Sequence, residues 1–325
     1  MNFLVSGGAG MIGSHLVGRL LAEGNRVTVI DDFSRGRIDY LPSDHCRLRI
    51  IEFDLRKDIS ILKHDISRYK FDCAVHLADN VAGIKYVFNN QLKVWTDNLA
   101  INSNFFALVD GVVDFVIYAG TACSYPKALQ TKIAEKRLVE DDAYPAEPES
   151  SYGMSKLMGE YELALYADQG RFSATTLRFH NVFGTNTEFS GEGAQVIPAL
   201  CYRAATANYE DPLTVWGSGK QRRGFIYVAD VIDAIMTAIA KKPSEDVIQI
   251  GPESSTSIAD ISALIVDISE KKLRVDFDLS KPEGDFDRLG DYSRARSALS
   301  WSPKVSLIDG LETVYRWIER KVQYD

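Results

Sequence analysis

The sequence predicts an α/β protein, a doubly wound parallel sheet with a smaller C-terminal α/β part. Three observations carry that expectation. Short apolar runs recur through the first half with helical segments between them, glycines mark the turn after the first run, and the pattern changes to shorter elements after about residue 184. Apolar runs without polar alternation belong to strands buried on both faces, and a βα alternation of such runs means a parallel sheet covered by helices.

Taken in order, the chain opens with an apolar run at 2–6, a turn holding Gly7, Gly10, Met11, Ile12 and Gly13, and a helical stretch to Leu21. A second run at 26–30 ends in Asp31 and Asp32 and completes one βαβ unit. Further runs stand at 48–51, 73–77, 115–118 and 174–178. In the second half, an amphipathic stretch at 230–239 predicts a helix over about 228–242 that returns to the first part. The predicted division is 1–184 and 185–325, without a long Pro/Gly linker, so a ligand cleft is expected between the two parts.

Composition narrows the classes of function. The 325 residues are 46% hydrophobic and 25% charged, which is a globular balance. The net charge is −8, and no basic run marks a nucleic-acid tract, although a few local arginines can hold an anion inside an acidic protein. With no 18-residue apolar stretch and no basic-then-apolar N-terminus, neither a membrane span nor a signal peptide is expected, and the predicted location is cytoplasmic. The cysteines at 46, 73, 123 and 201 form no CxxC pair and no zinc-type cluster, so a reducing compartment and no metal site are expected.

Gly7, Gly10 and Gly13 form a GxxGxxG turn between strand and helix. The first allows the tight turn, the second lets backbone amides approach a pyrophosphate, and the third lets the helix pack closely on the sheet. Asp31, at the end of the second run, suits the ribose hydroxyls of NAD and would repel the 2′-phosphate of NADP, with Arg35 nearby as a complication. Asp54 and Leu55 suit an adenine contact, and Leu77 and Ala78 suit the middle of the cofactor. Tyr152 and Lys156 are four apart in a helical segment, so they share one face. An ammonium there, with the nicotinamide's positive charge, is expected to lower the phenol's pKa and make it a base toward a sugar hydroxyl, with Thr121 sharing the same proton.

With these residues in place, the chain resembles the extended short-chain dehydrogenase/reductases, the family of nucleotide-sugar epimerases and dehydratases, over nearly its whole length. The glycine turn, Asp31, Asp54, Thr121, Tyr152, Lys156, the stretch 178–184 and the stretch 217–223 stand in the family's order. The resemblance implies a Rossmann-type fold, tightly held NAD and hydride removal from the sugar, usually at C4. It implies cofactor contacts that include Asn98, and nucleoside-diphosphate-sugar contacts at Asn181, Gln195, Val196, Arg223 and Arg288. It also implies a homodimer, through the helix before Thr121 and the helix bearing Tyr152. The stretches 120–126, 140–148 and 178–181 are similar to the GDP-mannose 3,5-epimerase subgroup and the stretches 195–200 and 215–219 to the GDP-fucose synthase subgroup, which favours a GDP-sugar. There Cys123 corresponds to a base beside the keto group; the other reading makes it a packing residue.

Three departures qualify the resemblance. Gln195 stands where those subgroups carry a second acid/base, and glutamine cannot titrate, which leaves His180 or no residue for that proton. Ala122 and Cys123 occupy positions that are acidic in the 4,6-dehydratases, which argues against that reaction. Asp79 replaces a small apolar residue near the expected nicotinamide end. The expectation is a nucleotide-sugar epimerase working through C4 oxidation. Its rivals are a 4-epimerase or 4-dehydrogenase without exchange at C3 or C5, and a non-enzymatic NAD sensor, which the presence of Tyr152, Lys156 and Thr121 disfavours.

Overall fold

Each strand of the first half puts neighbouring residues on opposite faces, and both faces are apolar. In β1 (Asn2–Ser6), Phe3 and Val5 face one layer while Leu4 faces the other, and Val29 and Ile30 of β2 (Arg26–Asp31) divide in the same way. The computed structural model describes residues 1–81, 83–131, 137–191, 193–281 and 286–324. Among these, β3 (Leu48–Glu52), β4 (Cys73–His76), β5 (Phe115–Thr121) and β6 (Ser173–Phe179) follow in the chain. All pair in parallel, in the order β3-β2-β1-β4-β5-β6. The order reverses between β1 and β4, and a parallel sheet opens a crevice at the carboxyl ends of the strands at such a reversal.

Helices cover both faces. On one lies α1 (Met11–Ala22), with Leu16, Val17 and Leu20 in the core. On the other lie α2 (Ser60–Ile66), the short α3 (Ile84–Asn89), α4 (Gln91–Val109) and α5 (Ser151–Asp168), where Phe105, Phe106 and Leu163 pack beneath the sheet. Strand β5 runs to Thr121, past the apolar run at 115–118, because Gly120 and Thr121 continue the ladder opposite Arg178 and Phe179 of β6.

Beyond β6 come β7 (Asn181–Phe183), α6 (Val196–Thr206), β8 (Pro212–Trp216), β9 (Arg222–Arg223), β10 (Phe225–Tyr227) and α7 (Val228–Lys241). They are followed by β11 (Val247–Ile250), β12 (Thr256–Ser257), α8 (Ile258–Ser269), β13 (Arg274–Asp278), β14 (Asp287–Arg288) and α9 (Leu307–Tyr324). A third apolar core joins α6, α8 and α9. The expected return helix is α7, whose Val231, Ile235 and Ala238 complete the α1 layer. The division at 184 needs correction in one respect: β11 pairs with β6 and becomes the seventh strand of the main sheet. Its four residues are too short a run to stand out by pattern, and pairing with the edge of β6 decides their place.

Parallel pairing of β9 with β14 sets Arg223 beside Arg288, and β7 pairs with β10 to hold Asn181 opposite Phe225. Among the described residues, no helix is long and apolar enough to cross a membrane.

Candidate active site

Gly7 has φ of 66°, a left-handed conformation that glycine adopts without strain, and a Cβ there would press on the Ala78 backbone. A Cβ on Gly13 would collide with the Gly7 carbonyl. The turn therefore packs directly against the end of β4, and α1 begins at Met11 with no side chain capping its amides. Uncapped amides at a helix start suit a pyrophosphate. Asp31 accepts hydrogen bonds from the amides of Ala9 (2.9 Å) and Phe33 (2.9 Å), which fix its carboxylate at the cavity wall. Burial raises its pKa while the two amides oppose that rise. This cradle, closed to any Cβ and ending in an oriented carboxylate, fits the pyrophosphate and ribose of NAD. Arg35 is engaged elsewhere, since its guanidinium meets Glu188 at 2.6 Å across the mouth of the cavity.

The cavity is about 800 Å³ and runs from the glycine turn to Arg288. Every cofactor, catalytic and substrate residue singled out from sequence lines it except Asn98 and Lys156. Asn98 is fully buried behind the wall, where its Oδ1 accepts from the Asn80 amide (2.6 Å) and its Nδ2 donates to Ser155 Oγ (3.2 Å). It positions wall residues and does not face the cofactor space. Lys156, 1% exposed, reaches the site through Asp79. The Asp54 carboxylate is held by Arg56 at 2.7 Å, and Arg56 also pairs with Asp32 and Asp97, so this end of the wall is a rigid charge network.

At the other end stand Thr121, Cys123, Tyr152 and Arg288. Thr121 closes β5, and its Oγ1 accepts from the Cys123 amide at 3.2 Å, which turns the chain so that Cys123 reaches the cavity. Helix α5 carries Tyr152 in its first turn, with Ser150 as the cap. It approaches the Cys123 turn closely because residue 153 is glycine; a Cβ there would collide with the Cys123 carbonyl. That approach was missed in the sequence, since only the single glycine of the 152–156 segment, Gly153, distinguishes it from an ordinary helix start. Arg288 Nη1 donates to Cys123 Sγ at 3.0 Å, and its Nε donates to Gln130 Oε1. Thus Arg288, assigned to a diphosphate by resemblance, also touches the sulfur.

The electrostatics of Tyr152 and Lys156 involve a third group. Tyr152 lies well above the usual phenol range, first because it is buried, then because the Asp79 carboxylate stands beside it; a hydrogen bond with Thr121 acts the other way. The tyrosine hydroxyl donates to Asp79 Oδ2 at 3.3 Å, and Lys156 Nζ lies 3.4 Å from the same oxygen. Burial lowers the pKa of Lys156 while Asp79 raises it. The lysine's charge is therefore shared with a carboxylate that the spacing of Tyr152 and Lys156 could not disclose.

His180 is placed as a hydrogen-bonded core residue. Its Nε2–H donates to Gln249 Oε1 at 3.1 Å, its ring meets Tyr292 edge-on, and burial pushes its pKa down to about 3. A neutral ring with that pKa is a poor substitute for the acid/base missing at Gln195. Gln195 itself is exposed at the start of α6, facing the cavity with Val196.

Residues 3–251 match the NAD dependent epimerase/dehydratase family. The chain is 28% identical over 323 residues to GDP-mannose 3,5-epimerase 1 of Oryza sativa subsp. indica, covering 98% of this chain and 82% of that one. It is 29% identical over 330 residues to the UDP-N-acetyl-alpha-D-glucosaminuronate decarboxylase of Bacillus cytotoxicus, covering 99% and 98%. Among solved structures, UDP-glucuronic acid 4-epimerase from Bacillus cereus, in complex with UDP-glucuronic acid and NAD, superimposes with a TM-score of 0.84 at 28% identity, covering 99% of this chain and 100% of that one. With a glycine cradle shaped for a dinucleotide and a match over most of its length, the chain belongs to the NAD dependent epimerase/dehydratase family and is an enzyme whose cofactor is NAD.

Proposed function

We propose that the protein is a nucleotide-sugar epimerase that oxidises the sugar of a GDP-sugar transiently at C4 and uses Cys123 as a base at C3 or C5. The observation that carries this reading is the Arg288–Cys123 hydrogen bond in the cavity wall shared with Tyr152. NAD, when bound, accepts the C4 hydride. Tyr152 takes the proton of the C4 hydroxyl, which Thr121 orients by sharing it, and the positive charge of Lys156, with that of the nicotinamide, favours the phenolate. A C4 ketone acidifies the protons on C3 and C5. Cys123 Sγ removes one of them, and the guanidinium of Arg288 is placed to stabilise the sulfur when it bears charge. Arg223, held beside Arg288 by β9 and β14, gives a second guanidinium for the diphosphate, and Asn181 lies on the adjoining wall.

A second reading, a 4-epimerase or 4-dehydrogenase without exchange at C3 or C5, is favoured by one observation: neither Gln195 nor the neutral His180 can return a proton to the opposite ring face. Turnover of GDP- and UDP-sugars in D₂O separates the two. Carbon-bound deuterium at C3 or C5, lost in Cys123→Ser, is the expected result. Inversion or oxidation at C4 with no carbon-bound deuterium would return Cys123 to a packing role. The reading includes a homodimer through α4 and α5, whose outer faces expose Leu92, Tyr161 and Leu165, and a cytoplasmic setting consistent with free cysteines.

A further inference from the structure

Asp79 stands where β4 ends, beside the reversal of strand order between β1 and β4, and it lines the cavity. A single oxygen, Oδ2, accepts from the Tyr152 hydroxyl at 3.3 Å and lies 3.4 Å from Lys156 Nζ. The lysine is 1% exposed at its side chain and the aspartate 14%, so little water screens this ion pair. Lys156 Nζ also lies over the Tyr118 ring, 4.4 Å from its centroid.

An ammonium favours a phenolate only while its field is uncompensated. Here a carboxylate oxygen lies within reach of both ammonium and phenol, and its negative charge beside the phenol opposes the ammonium's field there. We propose that Asp79 is a positioning residue for proton transfer: its Oδ2, within reach of both Tyr152 and Lys156, opposes the lysine's field and keeps the proton on the phenol. The inference rests on the assignment of Tyr152 as proton carrier made above. Its consequence for the cycle is directional. A phenol held in its acid form is prepared to protonate the sugar oxygen when the C4 ketone is reduced, and it abstracts the hydroxyl proton only at higher pH or once the positive nicotinamide ring adds its charge.

The groups facing Tyr152 are Asp79 after β4, Tyr118 and Thr121 of β5, and Cys123 after it. Those facing Lys156 are Asp79 and Glu160, the Tyr118 ring, and His76 of β4. Of these, Tyr118 and Asp79 meet both, and of the two Asp79 is the carboxylate that contacts both polar groups. Asp79→Asn keeps a side-chain oxygen able to accept from the phenol while removing the charge, and Asp79→Ser removes the charge with a smaller side chain.

The test uses the NAD-saturated protein with tyrosines labelled with ¹³C at Cζ, titrated by NMR from pH 6 to 11, with Tyr152→Phe identifying the Tyr152 resonance. The expected result is that Tyr152 titrates about one pH unit or more lower in both Asp79 variants than in the parent protein. The acid limb of the kcat/KM profile for sugar oxidation should move by the same amount. A Tyr152 titration that is unchanged, shifted upward, or absent to pH 11 in parent and variants alike overturns the proposal. Because the resonance is read without turnover, a shift in a protein that oxidises no sugar would leave Asp79 in this role and overturn the proposed function instead.

Discussion

Tyr152 is the residue on which both the sequence and the site converge. In the proposed reaction its hydroxyl serves hydride transfer, while the cradle for the pyrophosphate at Gly7, Gly10 and Gly13 is built from backbone. Tyr152→Phe is therefore expected to retain NAD at close to parent affinity and to lose C4 oxidation by at least about a hundredfold, the scale of a lost general base. Calorimetric titration with NAD alongside single-turnover absorbance at 340 nm checks both halves, and surviving oxidation would remove Tyr152 from its role. The four-residue spacing to Lys156 was legible because a helix fixes which neighbours share a face. Asp79 was legible only as an odd residue, since its partners lie far along the chain and no local periodicity connects them. For the same reason, the second contact of Arg288 was beyond reach: Cys123 and Arg288 are 165 residues apart.

Elements meet where side chains are smallest. Helix α5 rests on the Cys123 turn through Gly153, and Ser124 Oγ donates to the Gly153 carbonyl at 3.2 Å. Gly153→Ala should push the first turn of α5 off the Thr121–Cys123 turn, lowering kcat by about tenfold or more while NAD affinity, set at the far end of the cavity, stays near that of the parent. Steady-state kinetics with an NAD titration decides, and equal losses in both would point to general misfolding. At this scale, the βαβ unit and the glycine turn were readable from residues 2–31 because their signals are local. The placement of β11 was not, because four residues become a strand there only by pairing with β6. Nor did the sequence disclose β9 and β14, two-residue strands whose value is to set two arginines side by side.

At the scale of the whole molecule, several buried polar groups among the described residues pair across the layers. Arg178 and Glu160 meet at 2.6 Å with both side chains almost fully buried, joining β6 to α5. His76 stacks on Phe105; its Nε2–H donates to Asn102 Oδ1 (3.1 Å), and its Nδ1 accepts from Ser6 Oγ (2.6 Å). Burial holds the pKa of His76 well below the ordinary histidine value and that of His180 at about 3. An unfolded histidine titrates near 6.5, so below that pH the unfolded chain binds protons that the folded one refuses. For His180 the contribution is complete above pH 6.5 and is lost as the pH falls from there toward 3, by about 1.4 kcal/mol per pH unit, and His76 acts in the same direction. Urea denaturation at pH 7.5 and pH 5 should show that loss, with a smaller difference in His180→Gln; equal differences would assign the acid sensitivity to other groups.

The late position of β11 also bears on how the chain is made. Strand β6 ends at Phe179, but the strand that covers its edge ends at Ile250. At the usual pace of translation, roughly 5–20 residues per second, the ribosome needs several seconds to supply the missing segment. During that interval a buried-type strand rich in Thr, Leu and Phe has one row of amides and carbonyls without its partner. The nascent NAD-binding half thus waits, with an open sheet edge, for a segment encoded beyond the start of the other half, and this is the window in which a chaperone holding that edge would matter most.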